Sequence, residues 1–334
     1  MLSEPLDAAE PMTQAALDAS ASAPPRRTSP KGAGLEIWFE YLCFAAATTL
    51  LAMLGGVLIS LVVGGWPAFA KFGLSFFTTS TWDPVNDVYG AAGPIVGTIV
   101  TAFLALLMAV PVAFGISFFL VELCPAPLRR PIGTAVELLA GIPSIVYGMW
   151  GLFVLAPWFA LHVQIPLLTL APPGSLLEKL TAGIPNGANI LTASIILAIM
   201  ILPYMSAMLR ELMLTVPPQL RESAYGMGST ALEVVWKVLL PYIRKSAVGA
   251  VMLGLGRALG ETMAVTFIIG NTHTLPKSLF DSGSTIASTI ANEFAEATTD
   301  MHTAALIALG LVLFLITFSV LAMARALLGA QRSF

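Results

Sequence analysis

Pro217-Pro218-Gln219-Leu220-Arg221-Glu222-Ser223-Ala224-Tyr225-Gly226-Met227-Gly228-Ser229-Thr230-Ala231-Leu232-Glu233 is the stretch from which the fold is read. The two prolines stop what precedes them, and proline suits the first turn of a new helix. A short helix is therefore predicted around 219–227, with Gly228 ending it. Thr230-Ala231-Leu232-Glu233 is a capping-box pattern that starts a second helix. Apolar windows flank the stretch, 188–209 before it and 246–270 after it. The prediction is helix, glycine turn, helix, carried outside a bilayer between two membrane spans. Small residues Ser223, Ala224 and Gly226 would let the first helix seat in a cleft on a partner.

The rest of the chain agrees with a membrane setting. Hydrophobic residues make up 57% and charged residues 10% of the 334 residues. Mean hydropathy is +0.86. A soluble domain carries roughly 25% charge. Charge-free runs such as Leu138–Leu177 and Met301–Ala324 are too long for a soluble core. A helical span needs about 20 mostly apolar residues. Six windows qualify, about 37–64, 93–121, 132–161, 188–209, 246–270 and 302–328. The expected fold is all-α and polytopic, with a membrane domain over 35–334 and the polar loop 217–241 inside it.

Lys and Arg placement sets the expected orientation. With the N-terminus in the cytoplasm, that side holds Arg26, Arg27, Lys31, Arg129, Arg130, Arg210, Arg221, Lys237, Arg244, Lys245, Arg325 and Arg332. The outer side holds only Lys71, Lys179 and Lys277, while Arg257 falls inside a span. Both termini and the 217–241 loop are thus expected in the cytoplasm. Residues 1–34, rich in Ala, Ser and Pro, are expected to be a disordered cytoplasmic tail without signal-peptide character. Cys43 and Cys124 sit near cytoplasmic span ends and are expected to be reduced. The first outer loop, about 65–92, is aromatic, and the second, about 162–187, is expected to be irregular because of its prolines and glycines.

Glu222-Ser223-Ala224, three residues, Gly228, nine residues, then Val238-Leu239-Leu240-Pro241 resembles the cytoplasmic coupling loop of ABC-type import permeases. The family pattern has Ala at 223 and Ile at 238, and the spacing is otherwise kept. Two further segments resemble the phosphate-specific transport permeases. They are Pro131–Thr134 with Glu137–Gly148, and Gly254-Leu255-Gly256-Arg257-Ala258-Leu259-Gly260-Glu261-Thr262-Met263-Ala264-Val265, the latter similar to the C-type subunit. The resemblance covers the chain from about residue 35 onward. It implies six transmembrane helices of the type I ABC importer permease kind, in a bacterial inner membrane, with a cytoplasmic coupling helix. It also implies partners: an ABC ATPase dimer, a second, A-type permease, an extracytoplasmic phosphate-binding protein, inorganic phosphate and membrane lipid. Glu222, Ser223, Ala224, Gly228 and Pro241 are then the ATPase-coupling residues.

The charges inside spans are the candidates for the substrate path. Arg in a span costs on the order of 3 kcal/mol and must face protein or water. Its planar fork suits a tetrahedral oxyanion. Glu261 lies four residues beyond Arg257 and, on one helix, would share its face. The pair is read either as an anion contact with a neutralising partner or as a structural ion pair. Glu137 is read as lining the path, pairing with a cation of the companion permease, or being protonated. Thr262 is a candidate path liner. Glu293, Glu296 and Asp300 are expected on a solvated outer face or against the binding protein.

Several classes find no support. The chain has no Gly-x-x-x-x-Gly-Lys-Ser/Thr, so ATP hydrolysis belongs to a separate subunit. His162, His273 and His302 read as isolated, and no spacing predicts a metal site, catalytic centre or cofactor. No basic stripe suggests nucleic acid. The competing readings are a permease for another oxyanion, such as sulfate or molybdate, and an ion-gradient-driven carrier using Arg257 and Glu261.

Overall fold

The computed structural model describes residues 33–172 and 174–330. The expected tail lies outside these residues up to position 32, as do Arg26, Arg27, Lys31 and Arg332. Ala33 and Gly34 already belong to the first helix, α1, Ala33–Phe72. Chain contacts divide the protein into Met1–Val57 and Leu58–Phe334. The described part of the first unit is the beginning of α1, which exposes apolar side chains such as Trp38, Phe44 and Leu51.

The second unit begins with the end of α1. A short helix α2, Ser75–Thr78, leads to a hairpin of β1, Trp82–Asp83, and β2, Val88–Tyr89. Asp83 shapes the turn, its Oδ1 accepting from the backbone N–H groups of Val85 and Asn86 at 3.0 and 3.2 Å. Then follow α3, Ala92–Leu123; α4, Ala126–Leu139; α5, Ser144–Leu170; α6, Leu176–Thr181; and α7, Ile190–Leu214. The polar loop contributes α8, Pro218–Gly226, and the chain continues as α9, Ala231–Leu259. The remaining helices are α10, Met263–Thr266; α11, Ile286–Glu293; and α12, Asp300–Ala330. Among the described residues, six helices are long and apolar enough to cross a membrane: α1, α3, α5, α7, α9 and α12.

The centre of the second unit is α7 against α3. Ala102, Ala105, Ala109 and Ala113 recur at helical spacing on α3 and are fully or almost fully buried. Small side chains there let α7 approach closely and seat Ile196, Leu197, Ile201 and Met205. Ser117 reinforces the contact, its hydroxyl lying 2.7 Å from Ala113 O and 2.8 Å from Ser206 O. α9 packs on α3, α7 and α12.

Two span boundaries differ from the sequence reading. The third window, 132–161, is not one helix. α4 ends at Leu139, the chain turns through 140–143, and the crossing helix begins at Ser144 behind Pro143. Gly141 and Pro143 account for the break, since the residue before a proline is pushed out of helical conformation. The fifth window, 246–270, ends as a helix at Leu259, where Gly260 N–H closes back onto Gly256 O at 3.3 Å. The second outer loop is also more ordered than expected: α5 runs to Leu170 and α6 lies within the loop.

Candidate functional site

α8 and the start of α9 carry the segment read from the sequence as a coupling loop. Pro218 stands in the first turn of α8. At its other end, Gly228 adopts φ +87°, and the N–H groups of Gly228 and Ser229 bond to Tyr225 O and Ala224 O at 2.9 and 3.1 Å. This left-handed closure is the reason for glycine at 228. Thr230 and Glu233 complete a reciprocal capping box, and Lys237 pairs with Glu233 at 2.8 Å. Pro241 lies inside continuous α9 and cannot donate to the preceding turn, which widens to a π turn over Val235–Leu239.

The five coupling candidates divide in two. Ala224 is 4% exposed and packs into a small core with Val121, Met213, Val216, Val234, Val235, Leu239 and Ile243. Glu222, Ser223, Gly228 and Pro241 are exposed. The Glu222 carboxylate forms no ion pair or hydrogen bond among the described residues. α8 is therefore anchored through Ala224 and presents Glu222 and Ser223 outward.

No sequence signal marked the polar anchor beneath α8. Glu122, at the end of α3, is 6% exposed in its side chain. Its Oε2 accepts from Tyr225 Oη at 2.7 Å, and its Oε1 lies 3.3 Å from Arg221 Nη1. Arg221 Nη2 donates to Met213 O, near the end of α7, at 2.6 Å. Burial, then the bond to Glu122 and its charge, push the Tyr225 hydroxyl up to about 12 against the opposing charge of Arg221. Tyr225 therefore stays neutral and donates at physiological pH.

The intramembrane candidates depart from the expected pattern. Arg257 lies in the last turn of α9, exposed, with its guanidinium 5.5 Å from the Tyr204 ring of α7. Glu261 lies past the helix end, and no ion pair joins it to Arg257 among the described residues. Spacing of four brings two residues onto one face only while the helix persists, and Gly260 ends it. Glu261 Oε1 instead accepts from Ala264 N at 3.4 Å, at the start of α10. Thr262 precedes α10, and its carbonyl accepts from Thr266 N at 3.0 Å. This segment rests on α5 at Gly148, where a Cβ would lie 3.0 Å from Ala264 Cα.

Glu137 lies on α4 rather than in a crossing helix, and its carboxylate is half-exposed. It pairs with Arg210 of α7 at 2.7 Å, and Arg210 also holds Glu211 at 2.8 Å. Its cation is thus supplied by this same chain. Gly133 makes room for the pair, since a Cβ there would come within 2.5 Å of Arg210 Nη1.

His273 and His302 are not isolated, and Glu293 is not on a solvated face. Glu293 Oε2 accepts from Trp82 Nε1 at 2.6 Å and His302 Nε2 at 2.9 Å, and Oε1 from His273 Nε2 at 2.7 Å. Trp82 stacks on His273 and Tyr89 on His302, at 5.3 and 5.4 Å. Burial raises the Glu293 carboxyl, but the bonds from His273, Trp82 and His302 outweigh it and hold the group below its ordinary 4.5. Its stabilising contribution is therefore complete above that value and is lost as pH falls through the lower folded value. Glu293→Ala is expected to cost on the order of 2–3 kcal/mol, read as a lower Tm of the detergent-solubilised protein. An unchanged Tm would show that the cluster does not hold the outer segments together.

Comparison with known proteins agrees with this architecture. Residues 123–332 match the family described as binding-protein-dependent transport system inner membrane component. The chain belongs to that family. It is 55% identical to the phosphate transport system permease protein PstC of Mesorhizobium japonicum over 284 residues, covering 85% of this chain and 87% of that protein. Identity to the protein of the same name from Pasteurella multocida is 51% over 294 residues, covering 88% and 92%. Among solved structures, a bacterial alginate ABC transporter in complex with an alginate-bound periplasmic protein matches with TM-score 0.56 at 16% identity, covering 88% of this chain and 96% of that one. That likeness shows the fold alone.

Proposed function

We propose that this chain is the PstC-type permease subunit of an ATP-driven phosphate importer, forming half of the path and coupling it to the ATPase. The observation that carries the reading is α9 itself. It leaves the α8–Gly228 turn and runs unbroken past Pro241 to Arg257, 16 residues, or roughly 24 Å of helix rise. The names of the PstC relatives support phosphate as the substrate.

In this reading an ABC ATPase dimer seats on the exposed face of α8, around Glu222, Ser223 and Gly228. Movement of α8 is passed along α9 to Arg257. The Arg257 fork meets one phosphate with two parallel charge-assisted hydrogen bonds. Glu261 and Thr262, on the segment just beyond, adjust the field around it. A related PstA-type permease supplies the other half of the path, lipid surrounds both, and an extracytoplasmic phosphate-binding protein delivers the ion. Both termini and α8 face the cytoplasm, following the Lys and Arg asymmetry. Glu137, half-exposed and paired to Arg210, supports the path in this scheme rather than touching phosphate.

The test is uptake into liposomes holding the four-component complex. Binding-protein-dependent ATP hydrolysis and uptake with phosphate, and neither with sulfate or molybdate, is the expected result. Stimulation by sulfate instead would transfer the reading to another oxyanion. Uptake driven by an ion gradient without ATP would replace it with a carrier.

A further inference from the structure

We propose that Glu122 is a positioning residue through which displacement of α8 reaches α3, so that coupling is divided between α9 and the α3–α7 pair. The inference rests on the permease reading above and adds a second load path to it. α7 and α9 are each joined to α8 through a short stretch of backbone, 215–217 and 227–230, but α3 is not; it meets α8 through side chains. Ala224 contributes apolar contact in the small core around Val121 and Met213. The polar connection is the Glu122–Arg221–Tyr225 group, which ties the end of α3 to α8, and Arg221 ties α8 to the end of α7 at Met213 O.

The geometry of the group leaves one of its contacts made and one open. Tyr225 is bonded to Glu122 Oε2 at 2.7 Å, whereas Oε1 stands 3.3 Å from Arg221 Nη1 without a hydrogen bond. Arg221 Nε is likewise buried and has no hydrogen-bond partner among the described residues. The Arg–carboxylate fork, which can form two parallel bonds, is open here. A small shift of α8 toward α3 closes it, and withdrawal of α8 breaks the Tyr225 bond. A contact that differs between two positions of α8 is what an element needs in order to bias α3. Apolar packing at Ala224 alone lacks that directionality.

The experiment uses the full reconstituted complex and reads phosphate imported per ATP hydrolysed. Glu122→Gln keeps the shape and removes the charge. It is expected to lower that ratio about tenfold while complex assembly and basal ATP hydrolysis stay unchanged. Glu122→Asp, which keeps the charge, is expected to recover at least half of the ratio. An unaltered ratio in an assembled Glu122→Gln complex overturns the inference, as does proportional loss of uptake and hydrolysis. Should Glu122→Gln fail to assemble, Tyr225→Phe decides: a two- to threefold drop in the ratio supports the inference, and a wild-type ratio overturns it. The wild-type complex separates this from the reading beneath it. Without ATP-driven phosphate uptake in the wild type, the permease assignment itself falls, whereas normal wild-type transport with inert variants removes only the role of Glu122.

Discussion

Arg257→Gln is expected to reduce phosphate uptake by the assembled importer about 100-fold, with little loss of stability. The first half follows from the chemistry of the fork. Hydrogen bonds between ionised groups are worth roughly 1.5–3 kcal/mol each, and glutamine cannot supply the charge or the paired donors. A loss near 3 kcal/mol in the step that passes the anion corresponds to about a hundredfold in rate. The second half follows from the structure. An Arg257–Glu261 ion pair would leave Glu261 stranded on mutation, and breaking a buried pair costs roughly 3–5 kcal/mol. No such pair is formed among the described residues. Arg257 gives up its position over Tyr204, a cation–π contact worth roughly 0.5–2 kcal/mol. A Tm close to wild type with transport nearly abolished is therefore the signature of an anion contact. Normal uptake in the assembled Arg257→Gln complex would remove Arg257 from the path. A large fall in Tm would assign it to packing instead. Arg257→Lys keeps the charge without the planar fork and should fall between wild type and Arg257→Gln.

The contrast between Arg257 and Gly228 shows what the sequence could and could not carry. α8, its glycine closure and the capping box at Thr230 are written in contiguous residues whose chemistry acts within one turn, so the segment was legible. The six spans were legible because length and apolarity are local properties. Their boundaries shifted where a single glycine or proline decided the matter: Pro143 started α5 late, and Gly260 stopped α9 early. The apolar window 246–270 carried the fifth helix through Glu261, because composition does not show that Gly260 ends it. Long-range partners were not legible. Glu293 gathers Trp82 from 211 positions away, Glu137 finds Arg210 across 73, and Glu122 finds Tyr225 across 103. Nothing in local spacing links these residues. Only the packing of α3, α4, α7 and the outer hairpin brings them together, which is why two histidines read as isolated share one carboxylate.

Gly228 offers a way to separate folding from docking by substitution at one atom. Its φ of +87° means that any side chain carries a backbone penalty, roughly 1–2 kcal/mol for an L-residue in the left-handed region. A Cβ built there meets nothing within 4 Å. The penalty is therefore nearly the same for alanine and for tryptophan, because neither side chain collides with this chain. Gly228→Ala and Gly228→Trp should show similar, modest falls in Tm when the permease is purified alone. In the assembled importer they should part company. If the α8 turn enters a cleft on the ATPase, as proposed above, alanine needs only a small adjustment there, and phosphate-stimulated ATP hydrolysis should stay within about threefold of wild type. Tryptophan would then add a large apolar body to the docked surface, and overpacking a fitted contact costs roughly 1–3 kcal/mol or more. Stimulated hydrolysis and uptake are expected to drop at least tenfold. Equal activities of the two variants in the complex would mean that the α8 turn does not enter the ATPase cleft, and a Tm for Gly228→Trp far below that for Gly228→Ala would mean that the turn is buried by this chain after all.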